Sequence, residues 1–308
     1  MIEFVHDLEP VYGKCQKLSP LVRRVTCPNA SPFTYTGTGS FIIGNGSVAI
    51  LDPGPLDMAH LDAICAALEP GETVSHILVT HTHSDHSPLA APLKEKTHAL
   101  ICGGGDHSNG TGVYAPDTPE LLEGVTLEEA CDKNYHPDIL LKDGDILTGP
   151  DWTIEAVFTP GHIHNHFCFA LKEEQTLFTG DHIMGWSTSI IAPPDGNMVD
   201  YMHSLQRLLE RDETCLRPTH GPAISDAKPF IKAYIDHRKQ RETQIIEQLK
   251  AGEDQIKPMV AKIYADIDVR LHPAAAMSML AHLQALVANG TVLSDGGIGL
   301  NNHYRLAD

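Results

Sequence analysis

Three histidines and an aspartate fall within six residues, His81-Thr82-His83-Ser84-Asp85-His86, directly after the apolar stretch His76 to Thr80. Imidazole nitrogens and carboxylate oxygens are the donors that zinc-like ions take. In extended chain His81 and His83 project to one side, so both can reach one ion. Asp85 and His86 follow where the chain must turn, which lets them face a second ion beside the first. Three later positions complete the count: His162 in Thr159-Pro160-Gly161-His162, Asp181 in Thr179-Gly180-Asp181, and His220 in Pro218-Thr219-His220-Gly221. A glycine beside each supplies the tight backbone geometry of a ligand loop. A single histidine in a chain with 19 of them reads as a surface or hydrogen-bonded residue. Their density and order here point to a metal centre.

Strands must carry these residues. Phe41 to Ile43 and Val48 to Leu51 flank the turn formers Asn45-Gly46 and predict a hairpin. His60 to Leu68 has helical spacing and stops at Pro70-Gly71, and His76 to Thr80 then runs as a strand into the histidine run. Short strands are expected at Ala99 to Cys102, Thr153 to Phe158, Phe167 to Leu171, Thr176 to Phe178 and Thr214 to Leu216. All but the first of these end near a candidate ligand or one of its neighbours. Pro88 and Pro92 make the helix after the histidine run start late or bend. Residues 103–138 read as a long loop with one helix near Pro119 to Cys131, and loops of this length are commonly functional. From Lys228 to Lys250 the spacing predicts one long helix, followed by helices at Ile256 to Ala265 and Pro273 to Ala288 and a terminal hairpin. The expected organisation is an α/β catalytic domain over 1–226 and a winged-helix-like module over 227–308.

The 308 residues suffice for a sizeable core. With 22 basic against 40 acidic residues, the net charge of -18 disfavours indiscriminate nucleic-acid binding. The N-terminus has no secretory pattern, and no segment is expected to be apolar for long enough to span a membrane. The seven cysteines are odd in number and lack C-x-x-C spacing, which reads as reduced thiols in a cytoplasm.

The run His81, His83, Asp85, His86 matches in full the H-x-H-x-D-H signature of the metallo-β-lactamase superfamily, which the chain resembles. The T-P-G-H, G-D and H-G turns extend the likeness. The resemblance implies an αββα sandwich with the site at one edge of its two sheets. It implies His81, His83 and His162 on one metal, Asp85, His86 and His220 on the other, and Asp181 bridging them, with Asp52 supporting the histidine loop. Within the superfamily the chain is similar to the β-lactamase-like protein 2 group, through Gly180-Asp181-His182-Ile183-Met184-Gly185, through His237-Arg238-Lys239-Gln240-Arg241, and through the C-terminal module. Ile163 and Asn165 depart from the Thr and Asp more usual there, and His182 stands where Cys or a small residue is common.

Two ions at bridging distance would lower the pKa of a shared water and present hydroxide as the nucleophile. Asp85 would orient it and accept its proton, and no Ser or Cys nucleophile is required. His182, with His164 and His166, is placed in sequence to donate a proton to the leaving group, or else to serve as a packing neighbour. Zinc is the default ion, with manganese or iron accepted by the same ligands. The branch resemblance implies phosphodiester hydrolysis in single-stranded RNA. The basic residues Lys228, Lys232, Arg238, Lys239 and Arg241 could contact phosphates, although the acidic surface and the shortage of aromatic residues oppose this. The alternative is an acyl thioester hydrolase resembling hydroxyacylglutathione hydrolases, with 103–138 and Trp186 to Pro194 walling an acyl pocket. An iron oxygenase, or a binding module with structural metals, represents another class. The acidic C-terminal module suits an intramolecular or homodimer contact better than DNA.

Overall fold

The expected hairpin forms from β3 (Gly39–Ile43) and β4 (Ser47–Leu51), paired antiparallel with Phe41 opposite Leu51. The computed structural model describes residues 2–107 and 131–308. The helix expected near Pro119 to Cys131 lies, except for its last residue, outside them. Alternation along β3 and β4 sends Phe41, Ile43, Ala49 and Leu51 to one apolar cluster and Ile42, Val48 and Ile50 to another. Both faces of this sheet are therefore covered, which is why these strands read as continuous apolar runs.

β5 (Thr73–Val79) adds parallel to β4, followed in parallel by β6 (Leu100–Gly103) and β7 (Ile139–Leu140). On the other side, β1 (Cys15–Lys17) and β2 (Val22–Thr26) extend the order to β1-β2-β3-β4-β5-β6-β7. A second sheet, ordered β12-β11-β10-β9-β8, comprises β8 (Ile146–Thr148), β9 (Thr153–Phe158), β10 (Phe167–Leu171), β11 (Thr176–Gly180) and β12 (Cys215–Pro218). Phe41, Leu51 and Leu78 of the first sheet meet Ile154, Phe169 and Phe178 of the second in the inter-sheet core.

Helices cover the outer faces. α1 (Met58–Ala66) starts at Asp57, whose carboxylate accepts from the Ala59 and His60 N–H groups, and its Leu61 and Ile64 pack with α2 (Ala90–Thr97) on the first sheet. On the second sheet lie α3 (Met198–Leu209) and the start of α4 (Ala227–Lys250). The sequence did not predict α3, although Met198, Tyr201, Leu205 and Leu208 form one helical stripe and Asn197 caps it. The layers are α, β, β, α, as the fold class predicted.

The later turns of α4 leave this body: Ile245 and Leu249 pack with α5 (Ile256–Ile263), α6 (His272–Ala288) and the antiparallel wing β13 (Val292–Ser294) and β14 (Tyr304–Leu306). One expectation is corrected here. Val269–Ala288, 20 residues, is long and apolar enough to cross a membrane by length and composition. Ala274 to Leu283 and Leu286 are buried, so the stretch forms the core of the module rather than an apolar exterior.

β9 and β11 are each antiparallel to β10, and β12 is parallel to β11, so the C-terminal ends of β9, β11 and β12 share one sheet edge. β4 and β5 end at the adjoining edge of the first sheet, where the Phe167 N–H donates to the Thr80 carbonyl and the Gly39 N–H to the Thr219 carbonyl, each at 2.8 Å. Every predicted ligand follows one of these strand ends.

Candidate metal centre

Two clusters of donor atoms form at that edge, one of His81, His83 and His162 and the other of Asp85, His86, Asp181 and His220. The structure thus brings all seven sequence-predicted ligands together. In the first, His81 Nε2 lies 2.8 Å from His83 Nδ1, and His162 Nε2 lies 3.1 Å from that same nitrogen. In the second, His220 Nε2 lies 3.2 Å from His86 Nε2 and 3.0 Å from an Asp85 oxygen. Asp181 lies 3.5 Å from both His86 and His220, and its charge also acts on His83 and His162, so it stands between the clusters.

The outer nitrogens fix the tautomers. His162 Nδ1 donates to the Ile190 carbonyl at 2.7 Å, and His220 Nδ1 donates to the Gly37 carbonyl at 3.1 Å. His86 Nδ1 donates to Asp52 at 2.9 Å. Asp52 also accepts the Thr80 hydroxyl at 2.8 Å and the Thr219 hydroxyl at 2.6 Å. Because the Thr80 proton goes to Asp52, the Thr80 oxygen accepts from His81 Nδ1 at 2.9 Å. His81 and His162, held neutral, therefore turn a lone pair inward toward His83 Nδ1, while the inner nitrogens of His86 and His220 face the Asp85 and Asp181 carboxylates. Seven such groups crowd two points, and His86 and His220 draw protons because carboxylates face them, so a pair of cations fits where that positive charge now sits.

Electrostatics agree. Burial, reinforced by neighbouring imidazoles, pushes His81 and His83 well below the usual histidine range, and burial lowers His162. Burial also opposes charge on His86 and His220, but the surrounding carboxylates outweigh it and raise both. Against its own burial, Asp85 is held down to about 2 by His86 and His220, and Asp181 is lowered further for the same reason.

Glycine is required at two of the turns. At Gly161, with φ 137°, an added Cβ would lie 2.3 Å from the Tyr201 backbone, and at Gly180 it would meet the His166 ring and Thr80. The centre opens into a cavity of about 370 Å³ lined by His83, Asp85, His162 and Asp181 and walled by Ala30, Phe33, Pro55, Met184 and Ile190. The segment 29–34 was not predicted to wall a pocket. Of the run Trp186 to Pro194, Ile190 does so, while Trp186 stacks on Tyr35 with ring centroids 5.0 Å apart.

His182, predicted as a proton donor, is not on the cavity lining. It is wholly buried, stacked on Tyr201 at 4.5 Å, and burial lowers its pKa to about 3. Sequence reasoning also missed Thr80 and Thr219, whose position one residue before a ligand was the available signal. The Gly37 and Ile190 carbonyls carry no side-chain signal at all.

Comparison with known proteins matches residues 36–220 to the metallo-beta-lactamase superfamily and 256–299 to the beta-lactamase associated winged helix domain. A beta-lactamase-like protein 2 homolog from Caenorhabditis elegans is 30% identical over 92% of this chain and 89% of its own length. An atrochrysone carboxyl ACP thioesterase from Cryptosporiopsis sp. is 30% identical over 81% of this chain and 69% of its own. Among solved structures, a beta-lactamase domain protein from Burkholderia ambifaria superposes with a TM-score of 0.77 at 20% identity, covering 98% of this chain and 96% of that one. A metallo-beta-lactamase family protein from Thermus thermophilus gives 0.74 at 20% identity, covering 94% and 100%.

Proposed function

The chain belongs to the metallo-β-lactamase superfamily, and on that footing we propose that it is a hydrolase with two divalent metal ions that cleaves acyl thioesters. The cavity wall carries the substrate class. Among its described lining residues there is no Lys or Arg, whereas Ala30, Phe33, Pro55, Met184 and Ile190 present apolar surface beside the two clusters. A phosphodiester chain is bound chiefly through basic side chains on its phosphates, and this cavity offers none. A thioester carbonyl is uncharged, and its acyl chain gains from apolar contact. The relative from Cryptosporiopsis, named as an acyl carrier protein thioesterase, supports the same class.

His81, His83 and His162 would hold one ion and Asp85, His86 and His220 the other, with Asp181 between them. The donor set suits zinc, and manganese or iron would also be accepted. Bound there, the pair would supply an activated water and polarise the scissile carbonyl. The protein's own part falls to Asp85. It lines the cavity, its side chain is 21% exposed, and its low pKa keeps it ionised to orient water and accept a proton. Phe33 and Ile190 shed water from the acyl side. His182 packs behind the centre, and the leaving thiolate is weakly basic enough to depart without a proton from it.

The test is a panel of acyl-pantetheine thioesters, labelled single-stranded RNA and a chromogenic lactam, run on metal-loaded protein beside an Asp85→Asn control with metal content measured for both. Thioester cleavage that falls at least about 100-fold in the control is expected. RNA cleavage with inert thioesters would overturn the substrate class. A bound mononuclear iron with oxygen uptake would overturn the hydrolase.

A further inference from the structure

A third group of potential ligands lies outside the two clusters: His107, Cys131 and Asp195, whose donor atoms are all within 4.8 Å of one another. His107 follows β6, Cys131 forms an isolated antiparallel bridge with His83, and Asp195 lies just before α3. We propose that these three side chains form a separate site for a zinc-like ion, which braces the histidine run from behind.

The spacing carries the proposal. His107 Nε2 lies 3.9 Å from Asp195 Oδ2, and the Cys131 thiol makes a long hydrogen bond to the same oxygen at 3.9 Å. An imidazole closing on a carboxylate by hydrogen bond alone would settle near ~2.8 Å. Tetrahedral zinc, with bonds of roughly 2.0 Å to N or O and 2.3 Å to S, holds its donors roughly 3.3 to 3.5 Å apart. The two separations from Asp195, with all three donors within 4.8 Å, leave room for an ion around which the side chains would close. The His107 side chain is 5% exposed, so its orientation is set by packing rather than by solvent. Its other nitrogen, Nδ1, lies 3.5 Å from the Thr82 hydroxyl, and the His164 ring sits beside it with centroids 5.6 Å apart.

The donor types select the ion. Thiolate, imidazole and carboxylate together suit zinc or cobalt and do not suit magnesium or calcium. On binding, the Cys131 thiol gives its proton to solvent, and thiolate plus carboxylate balance the two positive charges.

The position supplies a purpose. Thr82 stands between His81 and His83, its carbonyl accepts the Asp132 N–H at 2.7 Å, and its hydroxyl accepts from Asn165 at 3.0 Å while facing His107. An ion joining His107 to Cys131 links positions 24 apart in sequence and holds both against the strand end that presents the catalytic ligands. It acts as a brace, since none of the three residues lines the cavity.

Cobalt substitution tests the site without recourse to activity, because the two catalytic clusters contain no cysteine. Wild-type protein reconstituted with cobalt is expected to show a thiolate-to-metal charge-transfer band in the near ultraviolet and to bind three ions per chain by elemental analysis. Cys131→Ser should lose the band and one ion, and Asp195→Asn should weaken binding of that ion about 10-fold or more. Circular dichroism of both variants establishes that they are folded. A wild-type protein with two ions and no thiolate band overturns the proposal, as does a band that survives in Cys131→Ser. The dinuclear reading stands or falls separately, on the other two ions.

Discussion

Replacing Asp52 with asparagine keeps side-chain size and removes one acceptor from a position surrounded by donors. The Asp52 carboxylate is fully buried and takes the Thr80 N–H at 2.8 Å, the Thr80 and Thr219 hydroxyls, and His86 Nδ1. An asparagine can present its oxygen to the last three, but its NH2 then opposes the Thr80 N–H. Leaving that buried donor unpaired costs about 1–3 kcal/mol. The three remaining bonds lose their ionic character, each falling from about 1.5–3 to about 1 kcal/mol. A combined loss of about 2.5–9 kcal/mol follows for metal-free protein, with relaxation favouring the lower end. Asp52 has φ 48°, a conformation that asparagine also tolerates, so backbone strain does not confuse the comparison. His86 and His81 lose their anchoring together, which should weaken metal binding about 10- to 100-fold, or about 1.4–2.8 kcal/mol. Urea unfolding with chelator gives the first quantity, and competition against a chromophoric chelator gives the second. A variant that unfolds within about 1 kcal/mol of wild type and binds metal within about two-fold would refute the role assigned to Asp52.

Three further outcomes are expected. Arg238 is 3% exposed, lies over the Tyr201 ring, donates to the Ser189 carbonyl, and has no ion-pair partner among the described residues. Arg238→Met leaves the buried Ser189 carbonyl without its donor, so urea stability should fall by about 1–3 kcal/mol, and binding of the ion held by His162 should weaken because the neighbouring Ile190 carbonyl orients that ring; calorimetric titration measures the second effect. Glu155 is lowered from its ordinary 4.5 to about 2, first by hydrogen bonding to Arg211 and further by Lys172. A depressed carboxylate stabilises the fold above its unfolded pKa and loses that contribution as the pH falls. The stability advantage of wild type over Glu155→Gln should thus be full near neutrality and disappear between about pH 4.5 and 2 in acid-unfolding curves. His182→Leu should retain the shape of the kcat pH profile, since the buried ring does not reach the cavity; loss of one limb would restore it as the proton donor.

The residues of the centre were legible in the sequence because metal ligation is written in residue type and short-range order. His81 to His86, and the Gly-flanked His162, Asp181 and His220, announce themselves wherever the chain later runs. Most strands were legible too: Thr153–Phe158 and Phe167–Leu171 have the bounds that their apolar runs predict. β1, β2 and α3 were less so. Strands of three and five residues with charged positions, and a helix entered through Pro193, Pro194 and Gly196, give weak local signals that packing against a neighbour completes.

Only the tertiary structure decided which way each imidazole faces, because tautomer and direction depend on acceptors far away in sequence, such as the carbonyls of Gly37 and Ile190. It also decided that the segment 29–34 walls the cavity, that His182 turns into the core against Tyr201, and that His107, Cys131 and Asp195 meet. Each of these depends on which sheet edges and loops come together. Donor chemistry is a property of a side chain, whereas a site's shape and its solvent access belong to the packed whole.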